Sequence, residues 1–173
     1  ASDSWLNAES RIGVNHITSH KVRATHPSPF KHSEKTMVLI IQDVDRNNTD
    51  QVASAYRELF LAAGGGGLGL FTAIHRLRAV YNRIASSLEA NNLTLLAHHV
   101  DSLDIGSLID IFRADETSCL LGTDAVRDGI DVPGQSLQLI VFDRVPWPRP
   151  TLLHQARKKA FGGRDYDELL TRL

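Results

Sequence analysis

The 173-residue sequence has a single cysteine, Cys119, and a single methionine, Met37. One cysteine excludes an internal disulfide framework and any cysteine-built zinc or iron–sulfur cage within the chain. It suits a reducing compartment, so a cytoplasmic location is expected. No apolar stretch approaches the roughly 18 residues that span a bilayer, and no basic segment followed by an apolar one opens the chain as a secretory signal would. No membrane partner is expected. With Ala1 first and no methionine before position 37, the chain reads as a piece of a longer translated product. An excess of charge is missing too. The 19 basic and 20 acidic residues leave a net charge of −1, which is not the basic footprint of a nucleic-acid binder. What is present is ordinary: 42% hydrophobic and 23% charged residues, in a length that suits one domain with its own core.

The placement of charge is less even than its sum. Residues 1–35 carry five basic and three acidic groups plus His16, His20, His26 and His32. Residues 36–143 carry seven basic against 14 acidic, and residues 144–173 seven against three. An acidic centre thus lies between basic flanks. Residues 1–35 show no sustained period and contain the turn His26-Pro27-Ser28-Pro29, which favours extended backbone. They read as an irregular lead-in packing on a domain that covers 36–173.

From residue 36 the pattern becomes regular. Met37-Val38-Leu39-Ile40-Ile41 is a continuous apolar run, the signature of a strand buried on both faces. Asn48, with Gln51 three residues on, predicts a capped helix start. Val52, Ala55, Tyr56, Leu59, Phe60 and Ala63 recur at helical spacing, and Gly64 to Gly67 end that helix. Leu68 to Phe71 predicts a strand; Ile74, Leu77, Tyr81, Ile84 and Leu88 a helix face; Leu93 to Ala97 a strand. Ile105, Leu108, Ile109 and Phe112 predict a further helix, and Ser118 to Leu121 and Leu137 to Phe142 two more strands. Helices are expected at about 151–161 and 165–173. Strands alternating with helices imply parallel βαβ units with helices on both faces. Right-handed crossovers put every strand C-terminus on one edge, where the functional crevice of such a sheet lies.

That edge selects the loops that carry chemistry. Thr72 follows a strand and precedes a helix start. It is either a phosphate donor beside free N–H groups or an N-cap serving its own helix. Gly122 to Gly134 gathers glycine, hydroxyl, carboxylate and guanidinium groups. There Thr123 can donate to a phosphate oxygen and Asp131 can accept from a ribose, or the stretch is a turn-rich connection closed by Pro133-Gly134. Asp143 to Pro150 holds Trp147 between prolines, with Arg144 and Arg149 beside it. That suits stacking on bases or an anchoring tryptophan in a stiff loop. The glycine run 64–67 is not a phosphate loop, because it precedes a strand and no Gly-Lys-Ser/Thr follows. His98-His99, and His16 with His20, lack partners at metal-ligand spacing and read as surface or packing residues. Cys119 sits in a buried strand with no activating neighbour, so it is not expected to be a nucleophile.

Four segments resemble the motifs of one family in order. Leu70-Phe71-Thr72-Ala73 resembles the LFTS motif that opens the second motor domain of DinG-type and XPD-type superfamily-2 DNA helicases. Gly122-Thr123-Asp124-Ala125-Val126-Arg127-Asp128-Gly129-Ile130-Asp131-Val132-Pro133-Gly134 resembles their motif V, GTxSFWEGVDVPG. Asp143 to Pro150 resembles DKLPFPxP, and Ser28-Pro29-Phe30 resembles the SPF before the first strand. The resemblance spans about residues 28–150 and is closest to the DinG type. It implies a RecA-like three-layer α/β domain with a mostly parallel sheet, the second of a pair that hydrolyses ATP and walks on single-stranded DNA, in DNA repair or replication. By that likeness Thr72, Thr123 and Trp147 face DNA, and Gly129 and Asp131 face the nucleotide; the cations Arg76 and Arg149 are expected to join the DNA contacts, as is Arg127, which could instead pair with a neighbouring carboxylate.

The departures are as informative. Ala73 replaces the last hydroxyl of LFTS, Val126-Arg127 replaces Phe-Trp, and Asp128 is one methylene shorter than the family's Glu. Neither the GxxxxGK[ST] and DEAH-like motifs of a first motor domain nor the QGxGRxIR motif VI occurs. The chain therefore reads as a motor domain truncated at its C-terminus just before motif VI. The parent enzyme is expected to use ATP and Mg2+, and this chain alone to bind neither, to have no catalytic or metal-ligating residue, and to show no ATP hydrolysis. Its expected partners are single-stranded DNA, the first motor domain of the same polypeptide, and further copies of itself through an open sheet edge. The alternative class is a non-catalytic α/β module kept for nucleic-acid or partner binding; a metal hydrolase is a distant third.

Overall fold

The structure is a computed structural model that describes Trp5, Glu9 and residues 12–127, 130–145 and 151–160. The chain divides into two compact units, the first running to Ile40 and the second beginning at Ile41.

In the first unit, Arg23 donates from Nε and Nη2 to the two carboxylate oxygens of Glu9, at 2.6 and 3.1 Å. A 3-10 turn covers Val14–His16, and a single helical turn, α1, covers His32–Lys35. The Ser28 hydroxyl accepts from the Phe30 amide at 3.2 Å, which holds Ser28-Pro29-Phe30 as a bend. The apolar run that follows corrects the sequence reading. Met37, Val38, Leu39, Ile40 and Ile41 form no strand, and they are 48–81% exposed. A strand is made by its ladder and not by hydrophobicity, and none of the described strands pairs with this run.

The second unit builds as its periodicity predicts. Helix α2 (Thr49–Ala63) starts at Asn48, whose side chain accepts from the amides of Asp50 and Gln51. Gln51 does not close a capping box on Asn48; it reaches further back and accepts from the Asp45 amide at 2.8 Å. Gly64 ends the helix in the left-handed conformation, φ 70°, which favours glycine. Then come β1 (Gly67–Leu70), α3 (Ile74–Glu89), β2 (Thr94–Ala97), α4 (Ile105–Ala114) and β3 (Ser118–Gly122). A short helical turn, α5 (Asp124–Arg127), a 3-10 turn at Gly134–Ser136, β4 (Leu139–Phe142) and α6 (Leu152–Ala160) follow. The helix expected at 165–173 lies outside the described residues. No described helix is long and apolar enough to cross a membrane.

The four strands form one sheet in the order β2-β3-β1-β4, and every pairing is parallel. Helices lie on both faces, the three-layer α/β arrangement of a RecA-like domain. On one face Val52, Tyr56 and Phe60 of α2 pack with Leu77, Val80, Ile84 and Leu88 of α3 against Cys119 and Leu121 of β3. On the other, Leu108 and Phe112 of α4 pack with Leu68, Leu70, Leu96 and Leu120.

The central strand reads Gly67-Leu68-Gly69-Leu70, so its alternation assigns one residue type to each face. The leucines fill the α4 side. The glycines leave room for α2: a Cβ at Gly67 would stand 2.7 Å from the Phe60 ring, and one at Gly69 2.7 Å from Tyr56 and 2.6 Å from Leu121. The last two glycines of the run 64–67 and Gly69 are thus set by tight connections and by aromatic packing, and not by a ligand. Gly66, at φ 61°, also aligns three strands: its amide donates to the Ser118 carbonyl, and its carbonyl accepts from Gln138 and Leu139. Gly69→Ala is expected to lower the unfolding free energy by about 1–3 kcal/mol through overpacking, read as a lower urea midpoint with an unchanged slope; an unaltered midpoint would show that the rings have room to move.

Candidate nucleic-acid and nucleotide interface

The parallel register brings the strand C-termini to one edge. Ala97 pairs with Leu121, and Leu70 with both Gly122 and Phe142. The ladder continues one step beyond each strand: His98 donates its amide to Leu121, Phe71 to Gly122 and Asp143 to Leu70, at 2.9–3.0 Å. Thr72, His98, Thr123 and Asp143 therefore leave the sheet at the same level.

Thr72 is exposed and does not cap the helix it precedes. The N-cap position of α3 is Ala73, extended at φ −141° and without a side-chain cap bond. Of the two sequence readings, the local N-cap role is therefore absent. A 16-residue helix begins here, and its N-cap residue makes no side-chain bond to the first amides.

Arg76, in the first turn of α3, has a specific partner. Its Nε and Nη2 donate to the two oxygens of Asp143 at 2.8 and 2.6 Å, and Nη2 also donates to the Arg46 carbonyl at 2.9 Å. The pair is nearly dry, with side-chain exposures of 12% for Arg76 and 0% for Asp143. The bond to Asp143 raises the Arg76 pKa further above its already high value. Beneath the pair, Tyr56 stacks on Phe71 with centroids 4.9 Å apart, and its hydroxyl donates to the Val141 carbonyl at 3.3 Å. Burial, and then the Asp143 charge, push the Tyr56 phenol well above its usual pKa, so it stays a donor. This arrangement joins the loops after β1 and β4 and carried no local sequence signal, because its members are 67 residues apart.

Thr123 is half-buried, and its carbonyl accepts from the Val126 amide at 2.9 Å, which starts the α5 turn. Val126 is fully buried among Leu68, Leu70, Leu96 and Leu108. The residue that stands where the resembled motif has Phe is thus a core residue here. Asp131 lies apart from this edge. Its carbonyl accepts from Arg113 Nε and Nη2 at 3.2 and 2.9 Å, in the last turn of the helix that leads into the start of β3. Its own side of the loop is exposed. The structure therefore groups Thr72, Arg76 and Thr123 at the strand ends and sets Asp131 on the α4 flank. The Arg127 side chain, Gly129, Trp147 and Arg149 lie outside what is described; Arg144, which precedes Trp147, is exposed.

The loop after β2 brings His98 and His99 together with ring centroids 3.6 Å apart, and His99 takes the left-handed conformation, φ 70°. Arg78 holds the His99 carbonyl from Nε and Nη2, at 3.2 and 2.9 Å. His98 Nδ1 is buried and has no hydrogen-bond partner among the described residues. Among the described residues, no group of three or more His, Cys, Asp or Glu is placed to hold a metal ion. The Cys119 thiol is pushed up to about 11 by burial, which leaves it inert at neutral pH.

The profile of the helicase C-terminal domain family matches residues 56–168. A protein of Mycobacterium tuberculosis named ATP-dependent helicase DinG is 33% identical over 150 residues, 83% of this chain and 22% of that protein. A Bacillus subtilis protein named 3'-5' exonuclease DinG is 28% identical over 155 residues, 85% of this chain and 16% of its own length. The Escherichia coli ATP-dependent DNA helicase YoaA is 26% identical over 176 residues, 97% of this chain and 26% of that protein. This chain spans about a quarter or less of the length of these relatives. No solved structure matches.

Burial, with His99 as the second cause, holds the His98 pKa below its ordinary value of 6.5. The folded state thus resists a proton that the unfolded chain accepts. The contribution is intact above the unfolded value and is lost as the pH falls below it. His98→Gln is expected to flatten the drop in urea midpoint between about pH 7.5 and pH 5.5; an equal drop in both proteins would remove His98 as its source.

Proposed function

Because the chain belongs to the helicase C-terminal domain family, we propose that it serves as most of the second RecA-like motor domain of a DinG-type, ATP-dependent DNA helicase. The observation that carries this reading is the common edge. Thr72 and Thr123, each one or two residues beyond a strand, leave a parallel sheet at one level, next to a helix start with no side-chain cap. Hydroxyls and free amides in that position suit the oxygens of a nucleic-acid backbone. Contacts of this kind carry no base identity, so single-stranded DNA of any sequence is the substrate.

In this proposal Thr72 and Thr123 grip phosphates, while Arg127, Trp147 and Arg149 follow along the same track. Arg76 belongs to this edge by position; its role is taken up below. Gly129 and Asp131 face the nucleotide. The exposed Asp131, its main chain pinned by Arg113, fits an acceptor for ribose hydroxyls, and its separation from the strand-end edge fits two ligands held at two places. ATP with Mg2+ supplies the free energy of movement when bound between this domain and a first motor domain of the same polypeptide. Residues 36–173 form the motor domain, and residues 1–35 are its lead-in. The parent acts in the cytoplasm, in DNA repair or replication. The isolated chain self-associates along the β4 edge, where Ile140 and Phe142 are about half exposed.

Two measurements test the proposal. The chain is expected to bind a fluorescent oligothymidine, with Thr72→Ala and Thr123→Ala each weakening binding by roughly 2- to 12-fold, one hydrogen bond's worth of about 0.5–1.5 kcal/mol. It is expected to show no DNA-stimulated ATP hydrolysis, since it contains no GxxxxGK[ST] to cradle the phosphates. Binding indifferent to both threonines, or turnover by the chain alone, would overturn it.

A further inference from the structure

Arg76 looks, from sequence, like one more cation for DNA phosphates. Its surroundings argue otherwise. Asp143 neutralises it in a bidentate pair, and the Arg46 carbonyl takes a further N–H, so three of its five donors are committed. With both side chains almost fully out of water, opening the pair for a phosphate would strand a buried carboxylate, at a cost well above that of losing an exposed ion pair. The groups it joins belong to three segments: the turn before α2 through Arg46, the first turn of α3, next to the loop after β1, through Arg76 itself, and the end of β4 through Asp143. Thr72 and Ala73 lie between β1 and Arg76, while Arg144, Trp147 and Arg149 follow Asp143 in the chain.

We propose that Arg76 is a positioning residue, clamped to Asp143 so that the loop carrying Thr72 and the strand end leading to Arg144 present to DNA as one rigid edge. This rests on the DNA reading above, and it inverts the role that the charge of Arg76 suggests. A phosphate ligand acts through its charge; a clamp acts through the fork geometry of the guanidinium and through its acidic partner.

The two roles differ in sign. Asp143→Asn removes a negative charge from beside a polyanion. If Arg76 were a phosphate ligand, this change would free it and tighten binding. For a clamp, Asp143→Asn weakens binding of a fluorescent oligothymidine by roughly tenfold, one decade in Kd, and Arg76→Gln does the same. Arg76→Lys keeps the charge, loses the fork, and is expected to weaken binding as much as Arg76→Gln. The slope of log affinity against log salt stays at the wild-type value in all three. Arg144→Gln, removing an exposed cation, serves as the contrast and reduces that slope by about 0.7. Tighter binding by Asp143→Asn, full binding by Arg76→Lys, or a reduced slope in Arg76→Gln would each overturn the proposal.

A second measurement needs no DNA. Amide hydrogen exchange at Thr72, Ala73 and Asp143 is expected to speed up in Asp143→Asn and Arg76→Lys while Leu77 to Leu88 of α3 stay protected. Unchanged exchange at the loops overturns the clamp, and so does global unfolding of both variants, which would make the pair a support of the whole fold. A wild-type chain that binds no oligonucleotide overturns the DNA reading instead, and exchange then judges the clamp by itself.

Discussion

The fold hangs on two missing side chains. Gly67 and Gly69 present bare backbone on the α2 face of the central strand, and the Phe60 and Tyr56 rings come down onto it. No other residue type leaves that space, so the aromatic helix lies closer to the sheet than any Cβ would permit. The two alternating leucines, Leu68 and Leu70, then face the opposite way and anchor α4. One four-residue strand thus sets the spacing of both helical layers, and its neighbours β3 and β4 take their register from it.

Tyr56 carries this packing to the edge where function is proposed. Its ring bridges from Phe60, edge-on at 5.8 Å, to Phe71, stacked at 4.9 Å. Its hydroxyl donates to the Val141 carbonyl of β4, two residues before Asp143. The Arg76–Asp143 pair lies at the next level out, where the core gives way to loops. A buried ion pair gains little net stability over apolar packing, but removing one member is costly. It therefore acts as a constraint on geometry, holding two loops in one relation, which a surface that must meet a regular phosphate backbone requires. Net charge says nothing about this. The acidic middle of the sequence includes Asp143, which is consumed internally, while Arg144 beside it stays exposed.

Much of the sheet and its helices was legible in advance because periodicity reports burial, and here burial and element type agree. The faces of α2, α3 and α4 and the alternation of strand with helix follow from the spacing of apolar residues and from turn chemistry at Asn48 and Gly64. The reading failed where an apolar run was taken as proof of a ladder: Met37 to Ile41 forms none. It was incomplete at Thr72, where a hydroxyl before a helix suggested a cap that the backbone, turning at Ala73, does not use. At Arg76 the side chain's chemistry was evident and its partner was not. Motif order pointed to the candidate loops, but how far apart Thr123 and Asp131 stand within one of them depends on the chain's course past α4.

The sequence by itself determined which faces of α2, α3 and α4 are buried, where each βαβ unit turns, and which loops hold hydroxyls and glycines, since all of these depend on neighbours within one or two turns of chain. Only the tertiary structure decided how those loops are used. The pairing of Arg76 with Asp143, the seat of Tyr56 on Gly69, and the division of the candidate residues between strand-end edge and flank each join groups far apart in sequence. Such contacts are selected by the space and the dielectric that the assembled sheet creates, and no local pattern encodes either.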